Sequence, residues 1–115
     1  MTPSHALLQR ARRCHDEGRF VAAADFLLEA FRSDSSNPEV ACELGKVLRA
    51  IGDLEGALAY LKRAWHHQPT DSVTVAELVL TLHDLDRSEE AVQVMLGSLE
   101  AGLDDTAFAM SLIRD

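Results

Sequence analysis

The residue types of this sequence that are best suited to chemistry are five histidines and two cysteines, which serve elsewhere as metal ligands or nucleophiles. A structural zinc site needs about four such ligands close together. His66 and His67 are adjacent on a predicted helix and point about 100° apart, so they do not share one ion. Their place near the end of that helix suits its dipole instead. His15 and His83 are distant in the chain, and no metal site is predicted.

The two cysteines, Cys14 and Cys42, have no Cys-x-x-Cys spacing. Cys14 falls at a position that is leucine elsewhere, at Leu48 and Leu82, which predicts a buried core residue. Cys42 is expected on the side of its helix away from the paired helix, where it is accessible, with no histidine beside it. The two thiols are predicted about 9 Å apart along parallel helices, too far for a disulfide. Reduced cysteines fit a cytoplasmic protein.

The acidic residues and the glycines do not form a catalytic pattern either. Glu89-Glu90 and Asp104-Asp105 come at predicted helix starts, where carboxylates complement the helix dipole. The six glycines are scattered, and none belongs to a phosphate-binding loop. The sequence therefore predicts a protein that is not an enzyme, with no catalytic residues, no metal and no cofactor.

Composition is that of a globular domain and excludes two classes of partner. The chain has 115 residues, 47% of them hydrophobic and 26% charged, which is enough for one domain over residues 1–115. With 11 basic and 19 acidic residues, the net charge of −8 opposes attraction to nucleic acid or to anionic membrane surfaces. No apolar run approaches the ~18 residues needed to cross a bilayer.

The elements that position these residues are revealed by an internal repeat. Gly18-Arg19-Phe20 recurs 34 residues later as Gly52-Asp53-Leu54, and again as Asp86-Arg87-Ser88. The positions after each turn also match and are mostly apolar, at helical spacings of three, four and seven. These positions are Ala23, Ala57 and Ala91; Leu27, Leu61 and Met95; Ala30, Ala64 and Ser98; and Phe31, Trp65 and Leu99. Each copy therefore contains a helix with one buried face.

A second helix precedes each turn. The same offset aligns three further sets of residues, namely Leu7, Ala41 and Val75; Ala11, Gly45 and Val79; and Cys14, Leu48 and Leu82. Glycine at 18 and 52 suits the left-handed backbone at a helix end, and Asp53 and Asp86 are expected to cap the helices that follow. The run from Ser36 to Glu39 indicates a helix start with proline in the first turn.

A period of 34 residues with two helices in each unit resembles the tetratricopeptide repeat. The central copy matches most closely, at Leu44-Gly45, Leu48, Gly52, Ala57, Leu61, Ala64 and Pro69. The resemblance implies an all-α, right-handed α-α superhelix of three helix-turn-helix units, at about residues 4–37, 38–71 and 72–105. Residues 105–114 would form a short C-terminal helix, either a cap, which is the reading we favour, or the start of a fourth repeat.

Some positions depart from the family pattern. Arg10 stands where the other copies have Leu44 and Leu78, which an outer unit facing water tolerates. Val79 occupies a position that normally holds glycine or alanine, and Ser88 replaces a large apolar residue. We therefore expect the third unit to pack less closely than the other two.

The resemblance also implies where a partner would bind, because the first helices of such units line a concave face that holds a peptide or a helix. A broken apolar strip with charges of both signs is expected there. One subclass of the family grips a C-terminal carboxylate through lysine and asparagine; the only asparagine here, Asn37, lies between units, so that subclass is rejected. The candidate residues are Leu8, Gln9, Arg12, His15, Cys42, Glu43, Lys46, Arg49, Val73, Ala76, Glu77, Leu80 and His83.

Three hypotheses about function remain open. The first is a small adaptor or chaperone-like module that binds another protein or peptide on the concave face. The second is a self-assembling unit, a homo-oligomer in which the edge of the third repeat and the apolar tail stack on another copy. The third is that the sequence is part of a longer repeat protein.

Overall fold

The computed structural model describes residues 3–104, 106 and 108, and within them the secondary structure is entirely helical. Six helices follow one another as three antiparallel pairs, as the repeat predicts. None of the described helices is long and apolar enough to span a membrane. Their bounds are α1 (Pro3–Asp16), α2 (Phe20–Ser33), α3 (Pro38–Ile51), α4 (Leu54–His67), α5 (Ser72–Asp84) and α6 (Ser88–Glu100).

The central pair has the best defined helix ends. The Asn37 side chain accepts a hydrogen bond of 2.9 Å from the backbone N–H of Glu39, and Pro38 opens α3. Gly52 closes α3 in the left-handed conformation, with φ at 103°. Asp53 then caps α4 by accepting a bond of 3.0 Å from the N–H of Gly56. The helix start that the sequence predicts within Ser36–Glu39 and the capping that it predicts at Asp53 are confirmed.

The corresponding turn of the third pair is different. Asp86 has φ at 61° and takes the left-handed place that Gly18 and Gly52 hold in the other pairs. Arg87 is the residue before α6, and its side chain makes no capping hydrogen bond. The prediction that Asp86 caps α6 is therefore wrong, because the aspartate is used one residue earlier, to end α5.

The core consists of two clusters that follow the repeat. The first contains the buried faces of α1, α2 and α3, and the second those of α3, α4, α5 and α6. Phe31 and Leu48 pack against both clusters. Trp65 bridges the second and third units, where its indole N–H donates to the hydroxyl of the fully buried Ser98 at 2.8 Å. The large residues at the Phe31 and Trp65 positions thus fill the gaps between units.

Close approach within a pair depends on the small residue at one position. In the central pair, Gly45 leaves no space for a side chain, because an added Cβ would overlap Leu61. The third pair has Val79 there, 8% exposed, and α5 packs less closely against α6 than α3 does against α4. The sparser packing of α5 against α6 agrees with the looser third unit that the sequence predicts, and a branched valine at the close-contact position is consistent with it.

The chain turns after α6 and begins another helical turn. Gly102 is left-handed, Leu103 is buried, and the Asp104 carboxylate accepts from the N–H of Thr106 at 2.8 Å. Phe108 packs against the second core cluster, and its N–H bonds to the carbonyl of Asp104 at 3.0 Å. The remainder of the helix predicted at 105–114 lies outside the described residues.

Candidate partner-binding face

Two open pockets lie along the face formed by α1, α3 and α5, the concave face of the superhelix. The first, of about 600 Å³, is lined by Arg12, Asn37, Pro38, Glu39, Cys42, Glu43, Lys46, Gln68, Asp71 and Val73. The second, of about 480 Å³, is lined by His15, Lys46, Arg49, Ala50, Leu54, Glu77 and Asp84. Lys46, at the middle of α3, lines both pockets, and we call the two adjoining pockets together the groove.

Many of the residues predicted from sequence line this groove. The first pocket contains Arg12, Cys42, Glu43, Lys46 and Val73, and the second contains His15, Lys46, Arg49 and Glu77. Gln9, Leu80 and His83 line neither pocket, although Gln9 and His83 are exposed. The candidates that line the pockets lie on α1, α3 and α5, where the repeat register places them, because its period fixes how each helix is rotated about its axis.

The expected apolar strip is largely absent from the surface. Leu8, Cys42 and Ala76 are 2%, 6% and 1% exposed, so placing them in an accessible strip was wrong. The first helices of successive units are in contact, and Leu8 and Cys42 belong to the two core clusters. Val73 is 40% exposed and is the apolar side chain that the first pocket offers a partner.

Burial changes the chemistry of the Cys42 thiol. Burial raises the pKa of its thiol to about 11, while the Thr74 hydroxyl beside it acts in the opposite direction. A thiol is nucleophilic only as thiolate, so at neutral pH Cys42 is the inert, protonated form. Cys14 is also buried, and neither cysteine is in a disulfide.

The cations of the first pocket form ion pairs with carboxylates of the same chain. Arg12, on α1, reaches across to α3, where it donates to Glu39 at 2.7 Å and lies 3.8 Å from Glu43. The hydrogen bond to Glu39 is the main reason that the pKa of Arg12 is raised. Lys46 lies 3.7 Å from Glu43, at the same carboxylate oxygen that Arg12 approaches. The order Glu39, Arg12, Glu43, Lys46 is thus an alternating series of charges.

A second network joins α3 to α5 in the second pocket. Arg49 donates to Glu77 at 3.0 Å and to Asp84 at 3.4 Å. The Glu77 side chain is only 8% exposed, and that of Arg49 24%. Sequence reasoning listed Arg49 and Glu77 as independent groove residues and missed their pairing. The feature of the sequence that could have indicated this pairing is the composition of α5. That helix is apolar over most of its circumference and is therefore buried on most sides.

No group of three or more potential metal ligands comes together among residues 3–104, 106 and 108. The groove instead presents paired charges, the N-terminal end of α3 with its Asn37 cap, and a few apolar side chains. Such a surface suits recognition of another chain by shape, charge and limited apolar contact.

The tetratricopeptide repeat family model matches residues 15–72 and 48–112, which together include most of the chain. No match is found among curated proteins. The second tetratricopeptide domain of Spaghetti (RPAP3), bound to the HSP90 peptide SRMEEVD, is 17% identical with a TM-score of 0.79, over 85% of this chain and 91% of that one. The Sgt2 domain from Aspergillus fumigatus is 20% identical with a TM-score of 0.78, over 99% and 77%.

A third similar structure shows that the fold also occurs inside larger proteins. An O-GlcNAc transferase from Thermobaculum terrenum is 21% identical with a TM-score of 0.78; the match includes 97% of this chain but 23% of that one. At these identities the likeness concerns the fold alone. The helix pairs, the repeat period and the family match agree, and the chain belongs to the tetratricopeptide repeat family.

Proposed function

We propose that this chain is a protein-interaction module that holds a peptide segment or a helix of another protein in the groove between α1, α3 and α5. The observation that supports the proposal best is that two open pockets lie along these helices and share Lys46 as a lining residue. The structure of Spaghetti bound to an HSP90 peptide shows that a similar fold accommodates a peptide. An adaptor or chaperone-like role in the cytoplasm, without catalysis, fits these features and the two free cysteines.

A pair of matched substitutions tests the location of the site. Ala50 is exposed and lines the second pocket, so Ala50→Trp fills space that a partner would use. Ala59 is exposed on α4 of the same unit and lines neither pocket, which makes Ala59→Trp the control. We expect Ala50→Trp to weaken binding of the native partner by about tenfold or more and Ala59→Trp to leave it unchanged. Equal losses, or none from Ala50→Trp, would rule out the groove.

Self-assembly is a second candidate, which one feature of α6 favours. Val92, Leu96 and Leu99 are 48%, 55% and 39% exposed and form one stripe at helical spacing. The residue equivalent to Val92 in the central unit, Leu58, is 4% exposed, because the next unit packs on it. If the stripe joins two copies, light scattering will show a mass that rises with concentration, and Leu96→Glu will restore the monomer. A constant monomeric mass would dismiss this candidate.

A further inference from the structure

The cations of the groove are already engaged by carboxylates of the same chain. Arg12 and Lys46 lie within 4 Å of Glu43, and Arg12 also donates to Glu39. Arg49 lies between Glu77 and Asp84. A carboxylate from a partner would therefore have to displace an existing one, with little gain in Coulomb energy. The groove is poorly suited to an acidic ligand.

Carboxylates also outnumber cations in the groove. The two pockets are lined by five carboxylates and three cations, which gives a net charge of −2 with His15 neutral. The carboxylates are Glu39, Glu43, Asp71, Glu77 and Asp84. The potential in the groove is therefore negative even when the positive charges of Arg12, Lys46 and Arg49 are counted. A concave surface focuses that potential.

The most exposed charged side chains are carboxylates at the two ends of the ion-pair networks. Glu39 is 57% exposed and Asp84 43%, whereas the cations Arg12, Lys46 and Arg49 are 41%, 28% and 24% exposed. A carboxylate has two oxygens and accepts several hydrogen bonds, so Glu39 and Asp84 can receive a donor from a partner while they still bind their arginines. Each pocket thus has one such acceptor at its rim.

Each of these two carboxylates shares its pocket with an apolar side chain. Val73 lines the same pocket as Glu39 and is 40% exposed. Leu54, half-buried, lines the same pocket as Asp84. Each half of the groove therefore combines an exposed carboxylate with an apolar side chain, which matches the head and the methylene stem of a lysine or arginine.

We infer that the groove recognises a segment of another protein that carries lysine or arginine side chains next to apolar ones, and that it discriminates against acidic segments. The inference rests on the proposed function and narrows the expectation of a binding face that carries charges of both signs. The ligand differs in charge from the HSP90 peptide SRMEEVD bound in the similar structure, which contains three acidic residues and one arginine.

Two synthetic peptides of equal length test the inference. One has leucine at helical spacings of three and four, with lysine at the positions between, and the other has glutamate in place of every lysine. We expect fluorescence anisotropy at low salt to show about tenfold or tighter binding of the lysine peptide, and we expect that difference to shrink at high salt. Tighter binding of the glutamate peptide, or equal binding of the two, would overturn the inference.

A variant pair separates the groove from the overall charge. Glu39→Gln with Asp84→Asn removes the two exposed carboxylates, while the new amides still accept hydrogen bonds from the arginines and preserve the fold. Asp25→Asn with Glu29→Gln removes two exposed charges on α2, outside both pockets. The first pair should weaken binding of the lysine peptide about fivefold or more, and the second less than about twofold. Equal losses would mean that only the net charge acts, and would overturn the inference.

Failure of this inference and failure of the proposed function give different results. If the glutamate peptide binds better and Ala50→Trp blocks it, the groove is the site and only the charge preference is wrong. If the native partner binds equally well to Ala50→Trp and Ala59→Trp, the groove itself is wrong as the site. Circular dichroism melts of every variant, compared with wild type, show whether a loss reflects binding or folding.

Discussion

The guanidinium of Arg49 lies 3.0 Å from the carboxylate of Glu77, across the boundary between the second and third units. Glu77 is almost fully covered, and its charge remains tolerable because Arg49 compensates it. The pair therefore supports the packing of α3 against α5 as well as lining the groove. Charge reversal at Arg49 is a poor probe of partner binding, since it would place two carboxylates together at a buried site.

Loss of Arg49 alone should destabilise the protein. We expect Arg49→Met to lower the free energy of unfolding by about 1–3 kcal/mol, because methionine keeps much of the side-chain volume but leaves Glu77 covered and without its arginine. Urea denaturation gives the value.

The double variant Arg49→Met with Glu77→Gln is the control for that experiment. It removes both charges, and we expect it to be more stable than Arg49→Met alone, with a positive coupling in the double-mutant cycle. Additive losses would show that the two side chains do not stabilise each other.

Leu61→Ala should be among the most destabilising substitutions. Leu61 is fully buried on α4, where it fills the space above Gly45 and packs with the second core cluster. We expect a loss of about 2–5 kcal/mol, from lost burial and the cavity that remains. A change below about 1 kcal/mol in denaturant melts would contradict the assigned helix register.

Asp86→Gly should stabilise the third unit. Asp86 has φ at 61°, a conformation that is unfavourable for residues with a Cβ and free of strain for glycine. We expect a gain of about 0.5–1 kcal/mol, reduced by the extra freedom of glycine in the unfolded chain. The reverse test is Gly52→Ala, at φ 103°, which should lose about 1 kcal/mol. If thermal melts show both variants unchanged, backbone strain at these turns is unimportant.

Cys42 should react slowly in the folded protein. Its thiol pKa is raised from 9.0 to about 11, mainly by burial, so little thiolate exists at pH 8. We expect iodoacetamide to label Cys42 much faster in urea than in buffer, as measured by mass spectrometry of its peptide. Equal rates in the two conditions would contradict its burial.

The same pKa difference predicts how stability depends on pH. Because the folded-state pKa of Cys42 is the higher one, its contribution is fully present below pH 9 and is lost as the pH rises toward 11, where the unfolded chain binds fewer protons. Cys42→Ala removes this part of the alkaline decrease. An unchanged pH profile in that variant would assign the decrease to other groups.

The sequence by itself determined the helix pairs, their core faces and most of the helix ends. These features depend on local periodicity and on capping, which act within a few residues, so Leu27, Leu61, Gly52 and Asn37 were all assigned correctly. The family was also recognisable, because a period of 34 residues and several small residues must coincide.

Only the tertiary structure decided which residues of the concave face are accessible and how its charges are paired. Leu8, Cys42 and Ala76 were expected on the accessible face of their helices but are buried in the folded array. Likewise, Arg49 reaches a carboxylate 28 positions away in the sequence. Periodicity specifies the rotation of one helix about its own axis, whereas burial and ion pairing depend on the distance and angle between helices, which result from the packing of the whole array.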